Sequence, residues 1–98
     1  MADTVVVEKD MALAHRDFFR LAPKAFPDGN YDLKPAGLVR EDGDGRHLEI
    51  TMGPEGERRI ALLSITTTPV TLAFTGYTDD DRTQTLVEFD RAFQKGGG

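Results

Sequence analysis

The strongest constraint on this chain is a period-two pattern that appears twice. Leu48, Ile50 and Met52 alternate with Glu49 and Thr51, and Val70, Leu72 and Phe74 alternate with Thr71 and Ala73. Successive side chains of a strand point to opposite faces, so the even-numbered residues of both runs share one face, the one expected to line the core. Between them, Ile60-Ala61-Leu62-Leu63-Ser64-Ile65 abandons the alternation and is apolar on both faces. A strand of that composition implies a second contact surface besides the core.

Turn chemistry sets the expected order of elements. Four strands are expected, at 31–40, 46–52, 57–66 and 70–77. Asp42-Gly43-Asp44-Gly45 and Pro54-Glu55-Gly56 carry the residues that tight hairpin turns need. Thr67-Thr68-Pro69 is a weaker turn, marked by a proline that cannot donate to a central ladder. A helix is expected over 8–22, because Met11, Ala14, Phe18, Leu21 and Ala22 recur at three- and four-residue steps. Thr4 or Asp10 would cap it, Val5-Val6-Val7 would be its first turn or an extended lead-in, and Pro23 would end it. A second helix begins after Thr78. Asp79, Asp80 and Asp81 complement its dipole, and Arg82, Leu86, Phe89 and Phe93 form a stripe, with Lys95 near the far end.

The expected fold is therefore α+β: a two-layer sandwich with a four-stranded antiparallel meander and N- and C-terminal helices packed on one face, in the order α-β-β-β-β-α. Residues 1–95 would form a single domain, followed by a flexible glycine tail at 96–98. The turn at Pro54-Glu55-Gly56 would set Ile50 opposite Ile60 and Leu48 opposite Leu62. The even-numbered residues Leu48, Ile50, Met52, Ile60, Leu62, Val70, Leu72 and Phe74 would then line the core. On the same register the other face carries Ala61, Leu63, Ile65, Ala73, Thr71 and Thr75, with His47, Glu49, Thr51 and Arg59 as a polar rim. An apolar strip with such a rim marks a contact surface, either for a protein partner or for a second copy of the chain. Coverage of Leu63 and Ile65 by Val5-Val6-Val7 or by a helix of the same molecule is the competing expectation.

Composition narrows the function classes. Twelve Lys and Arg against seventeen Asp and Glu give a formal net charge of −5 among 98 residues. That field repels phosphate backbones and anionic head groups, and the adjacent basic pair Arg58-Arg59 is flanked by Glu55 and Glu57. Neither a nucleic-acid nor a membrane partner is expected. No apolar run approaches the ~20 residues of a spanning helix, and no secretory leader opens the sequence, so the expected compartment is the cytoplasm. The absence of cysteine removes thiol chemistry and disulfides.

No catalytic or cofactor motif emerges. His15 and His47 lack metal-ligand spacing, and His15 reads as a helix-boundary residue. Asp42 and Asp44 with Glu49 miss a calcium loop because position 53 is glycine, and the other glycines form no phosphate cradle. Ser64 and the threonines at 66–68 have no recognisable base beside them. The expectation is a small non-enzymatic interaction or accessory module with no cofactor and no metal. The alternative is a small-molecule-binding protein or minor enzyme subunit, with Phe18, Phe19, Phe89 and Tyr77 walling a pocket between helices and sheet. A more distant alternative is a carrier that uses Gly96-Gly97-Gly98, although carriers of that kind place the glycines after a strand rather than a helix.

Overall fold

The structure, a computed structural model, describes residues 4–97. Its elements are β1 (Thr4–Met11), α1 (His15–Ala25), β2 (Asp32–Lys34), β3 (Gly37–Glu41), β4 (His47–Met52), β5 (Gly56–Ile60), β6 (Leu63–Thr75) and α2 (Asp79–Gly97). The α+β class and the antiparallel sheet agree with the sequence reading. The four-stranded meander does not: the sheet has six strands in the order β1-β6-β4-β3-β2, and β5 pairs with β6 off that path. The chain order is β-α-β-β-β-β-β-α.

The N-terminal segment is the first correction. Val5-Val6-Val7 belongs to a strand that runs to Met11 and pairs along β6 from Thr4 opposite Thr75 to Met11 opposite Thr68. Three consecutive β-branched residues favour the pleated ladder that β6 offers. Helix α1 then starts at His15, where two carboxylates take its first amides. Asp17 accepts the Ala14 N–H at 3.2 Å, and Glu55 accepts the His15 N–H at 2.9 Å. Pro23 lies inside the last turn rather than ending the helix, and the Phe26 amide still closes onto the Ala22 carbonyl at 2.9 Å. A proline this close to the C-terminus removes only its own bond.

Two expected strands are each divided. The 31–40 segment folds back at Pro35-Ala36 into β2 and β3, with Lys34 opposite Gly37. Gly37 is required there, because a Cβ on it would run into the Ile50 carbonyl. The 57–66 segment turns at Ala61-Leu62, with Ile60 opposite Leu63. Thr67-Thr68-Pro69 is no turn; it lies inside the 13-residue strand β6. Consequently Leu48 faces Phe74 and Ile50 faces Leu72, in place of Leu62 and Ile60.

The cause is a one-residue offset. Met52 pairs with Val70 and Gly56 with Thr67, so Gly53, Pro54 and Glu55 stand against only Thr68 and Pro69. That is the residue count of a β-bulge. Gly53 donates its N–H to the Pro69 carbonyl at 2.8 Å. Pro69 has no amide to return to the Gly53 carbonyl, which instead accepts the His15 Nε2–H at 2.7 Å. A proline is thus accommodated inside a central strand because a histidine replaces its missing donor. Gly53 itself has no room for a side chain: a Cβ would sit 2.7 Å from the Pro69 Cγ.

The core forms on one face. Leu38, Leu48, Ile50, Met52, Val70, Leu72 and Phe74 are buried against Phe18, Leu21, Ala22 and Ala25 of α1 and Phe89 and Phe93 of α2. The Phe18 ring stacks on Phe93 at 5.3 Å, and Phe93 lies 4.5 Å from Phe89. Helix α2 starts as the sequence implies: Thr78 Oγ1 accepts the Asp81 N–H at 3.1 Å behind three aspartates. It runs on to Gly97, past the position where the sequence reading begins a glycine tail; Gly98 lies outside the described residues.

Thr68 is fully buried, and its Oγ1 donates to the Leu13 carbonyl at 2.7 Å, tying the β1–α1 connection onto β6. Thr68→Val keeps the shape but strands that carbonyl. It should lower unfolding free energy by about 1–2 kcal/mol in a chemical denaturation experiment.

Candidate functional site

Beyond the bulge, β6 leaves the body of the sheet. Its segment 63–67 pairs with β5, whereas 68–75 pairs with β1. At ~3.3 Å per residue the whole strand runs on the order of 40 Å, close to the longest dimension of the molecule, 48 Å against 24 Å in the other two. All five residues of β5 are exposed, and its extensive packing is with β6. The result is a two-stranded arm whose tip carries Ile60 at 52%, Leu62 at 102% and Leu63 at 67% exposure. Its turn is strained at one point. Ala61 adopts φ 55°, the left-handed region that a glycine enters without cost.

The register assigns the residues of the arm to faces. Arg58 is opposite Ile65 and Ile60 opposite Leu63, while Glu57 and Arg59 are opposite Thr66 and Ser64. Arg58 bonds Asp10 of β1 at 2.9 Å, and Arg59 reaches Glu57 at 3.4 Å; Ser64 Oγ also donates to Glu57.

The face of the sheet away from the helices continues from the arm. Val6 and Glu49 flank Ala73, Glu8 and Thr51 flank Thr71, and Val39 lies beyond Glu49. His47 is opposite Thr75, with Glu41 across from it on β3, and His47 Nδ1 lies 3.1 Å from Glu41 Oε1.

The residues expected to form the contact surface therefore divide. Ala73, His47 and Glu49 share the open face of the sheet body. Leu63 and Ile65 lie on the same strand farther out, in the arm. Ala61 is in the turn, and Arg59 is on the opposite face of the arm from Leu63, a correction that follows from the observed pairing. Ile60 and Leu62, expected in the core, are exposed at the tip. The outward roles of Arg58, Glu8 and Glu41 escaped the sequence reading. Ala61-Leu62 lacks the Gly or Asn that announces a two-residue hairpin, and a Pro-Glu-Gly run seven residues earlier imitates one.

A second feature lies at the other end of the sheet, among Phe26, Asp28, Arg40, Asp42, Arg46, Tyr77, Asp81 and Glu88, around a cleft of about 320 Å³. Arg40 grips Asp28 through two bonds of 2.7 and 3.1 Å and lies over the Phe26 ring at 5.0 Å. Arg46 pairs with Asp44 at 2.9 Å and with Asp42 at 3.5 Å, and it lies over Tyr77 at 5.5 Å. The hydrogen bond from Arg40 holds the Asp28 carboxyl below its ordinary value, and burial pushes the Tyr77 phenol up. The arginines are thus consumed by neighbouring aspartates, and the arrangement ties the β3–β4 hairpin to the ends of both helices. Among the aromatic residues expected to wall a pocket, Phe18 and Phe89 are sealed in the core and Phe19 packs against it, which leaves only Tyr77 at this cleft. No group of His, Asp and Glu suited to a metal ion occurs among the described residues.

Comparison with family models, curated proteins and solved structures finds no match to this chain. No helix among the described residues is long and apolar enough to cross a membrane.

Two outcomes follow from this geometry. Ala61→Gly should relieve the left-handed strain by on the order of 1 kcal/mol, read as slower amide exchange across β5 and 63–67 of β6. Asp28 is held below its ordinary value of 3.8, so its contribution to stability is present above that pH and is lost as pH falls through the folded-state value. Asp28→Asn should flatten that portion of the acid limb of a stability–pH curve.

Proposed function

We propose that this chain is a non-enzymatic protein-contact module acting through its β5–β6 arm and the adjoining open face of the sheet. The observation that carries the reading is the exposure of Ile60, Leu62 and Leu63 together at the tip of a hairpin. A two-stranded ribbon without packing is marginal in water, and large aliphatic side chains at its end gain little there from burial within their own chain. Contact with another surface would supply that burial and hold the ribbon in place. The cleft around Arg40 and Arg46 supports a ligand-binding reading less well, since its cations are already neutralised by Asp28, Asp42 and Asp44.

The test is the double variant Leu62→Asp, Leu63→Glu. Because both positions are exposed, global stability should change by less than about 0.5 kcal/mol. Immobilised wild-type protein should retain a binding species, either from an extract of its source cells or as added copies of itself, that the variant does not retain. Identical retention by both proteins would reject the reading.

A further inference from the structure

We infer that the occupant of the open sheet face is the arm of a second copy of this chain, seated reciprocally. This rests on the proposed contact role of the arm. The first support is charge. Residues 56–67 contain Arg58 and Arg59 against Glu57, for +2 − 1 = +1, while the whole chain carries −5, so the remainder carries −5 − 1 = −6. The open face concentrates that acidity. By alternation and pairing it displays Glu8, Asp10, Asp32, Glu41 and Glu49 against Lys34 and His47. Among these carboxylates lie the apolar side chains of Val6, Val39 and Ala73, with Val6 at 55% exposure. An arm of net positive charge that presents Arg58 on the same face as Ile60 and Leu63, with Arg59 on its reverse, complements such a surface in both charge and texture.

The second support is distance. Leu63 and Ala73 belong to one strand and stand ten residues apart, on the order of 33 Å. The tip of the arm therefore has no route onto its own sheet face while β6 stays extended. The chemistry of the contact is already visible where the two regions do meet, since Arg58 at the base of the arm pairs with Asp10 of the open face at 2.9 Å. Arg59, farther out on the other face of the arm and 82% exposed, reaches Glu57 at 3.4 Å. If each arm covers the other copy's face, the same two patches are used twice about a two-fold axis, and the assembly closes at two chains.

The experiment measures the mass in solution by sedimentation equilibrium over a wide range of concentration. It compares wild type, Arg58→Glu/Arg59→Glu, and Glu8→Lys/Glu49→Lys, with far-UV circular dichroism confirming that each is folded. Wild type should reach twice the chain mass, with a dissociation constant that weakens at least tenfold between low salt and about 0.5 M salt, where exposed charges are screened. Each double variant alone should dissociate at least tenfold more readily. Mixing the two should restore a species of twice the mass, because reversed charges then face each other on one of the two arm contacts. A wild type that remains at the mass of one chain overturns the inference, as does failure of the mixture to recover the dimer. The contact role of the arm is judged separately: if wild type is monomeric but Leu62→Asp/Leu63→Glu still abolishes retention of a species from the extract, the partner is a different protein and only the second-copy inference falls.

Discussion

The junction at Gly53-Pro54-Glu55 governs how this chain divides its apolar residues between core and surface. One additional residue on that side moves the pairing onto β6 out of step. On the body side of the junction, even-numbered residues of β4 and β6 face the helices. On the far side, the ribbon has no helix above it, and Ile60 and Leu62 cannot join the row that Ile50 and Leu72 belong to. The junction is held by groups from three places. His15 donates to the Gly53 carbonyl, Glu55 accepts the first amide of α1, and Thr68 bonds the Leu13 carbonyl. The start of α1 and the exit of the arm are therefore set by one shared cluster.

That arrangement explains which parts of the structure were legible in the sequence. The alternation of Leu48, Ile50 and Met52 against Val70, Leu72 and Phe74 marked the buried face, because hydrophobic burial enforces it side chain by side chain. The Thr78 cap and the aspartates after it marked α2, because those groups act on their own backbone. Features that depend on a distant partner were not legible. Nothing near Val5 shows that an edge of β6 is waiting for it, and nothing near Pro69 shows that His15 will serve the carbonyl opposite. The two-residue turn at Ala61-Leu62 was hidden because alanine occupies the left-handed position where glycine would have declared it. The residues that the sequence assigns to a contact surface divide accordingly. Alternation alone sets Ala73, His47 and Glu49 on the face they occupy, whereas the face of Arg59 depends on the offset, which the local sequence does not announce.

The distribution of charge follows the same division. The arginines on the helix side of the sheet, Arg40 and Arg46, lie against aromatic rings and aspartates, where they bind the β3–β4 hairpin to Phe26 and Tyr77. The arginines of the arm instead pair with exposed carboxylates, Arg58 with Asp10 at 2.9 Å and Arg59 with Glu57 at 3.4 Å, and such surface pairs contribute little to folding.

Because β6 is a single covalent strand shared by the packed sheet and the bare ribbon, the two regions can differ in cooperativity. The half flanked by β1 and β4 breaks only when the core opens. The half flanked by β5 alone can fray and re-form while Val70, Leu72 and Phe74 stay locked. Fraying of this kind would make the ribbon a place where a protease could nick the chain, or where a spliced-in peptide could be displayed, without unfolding the domain behind it.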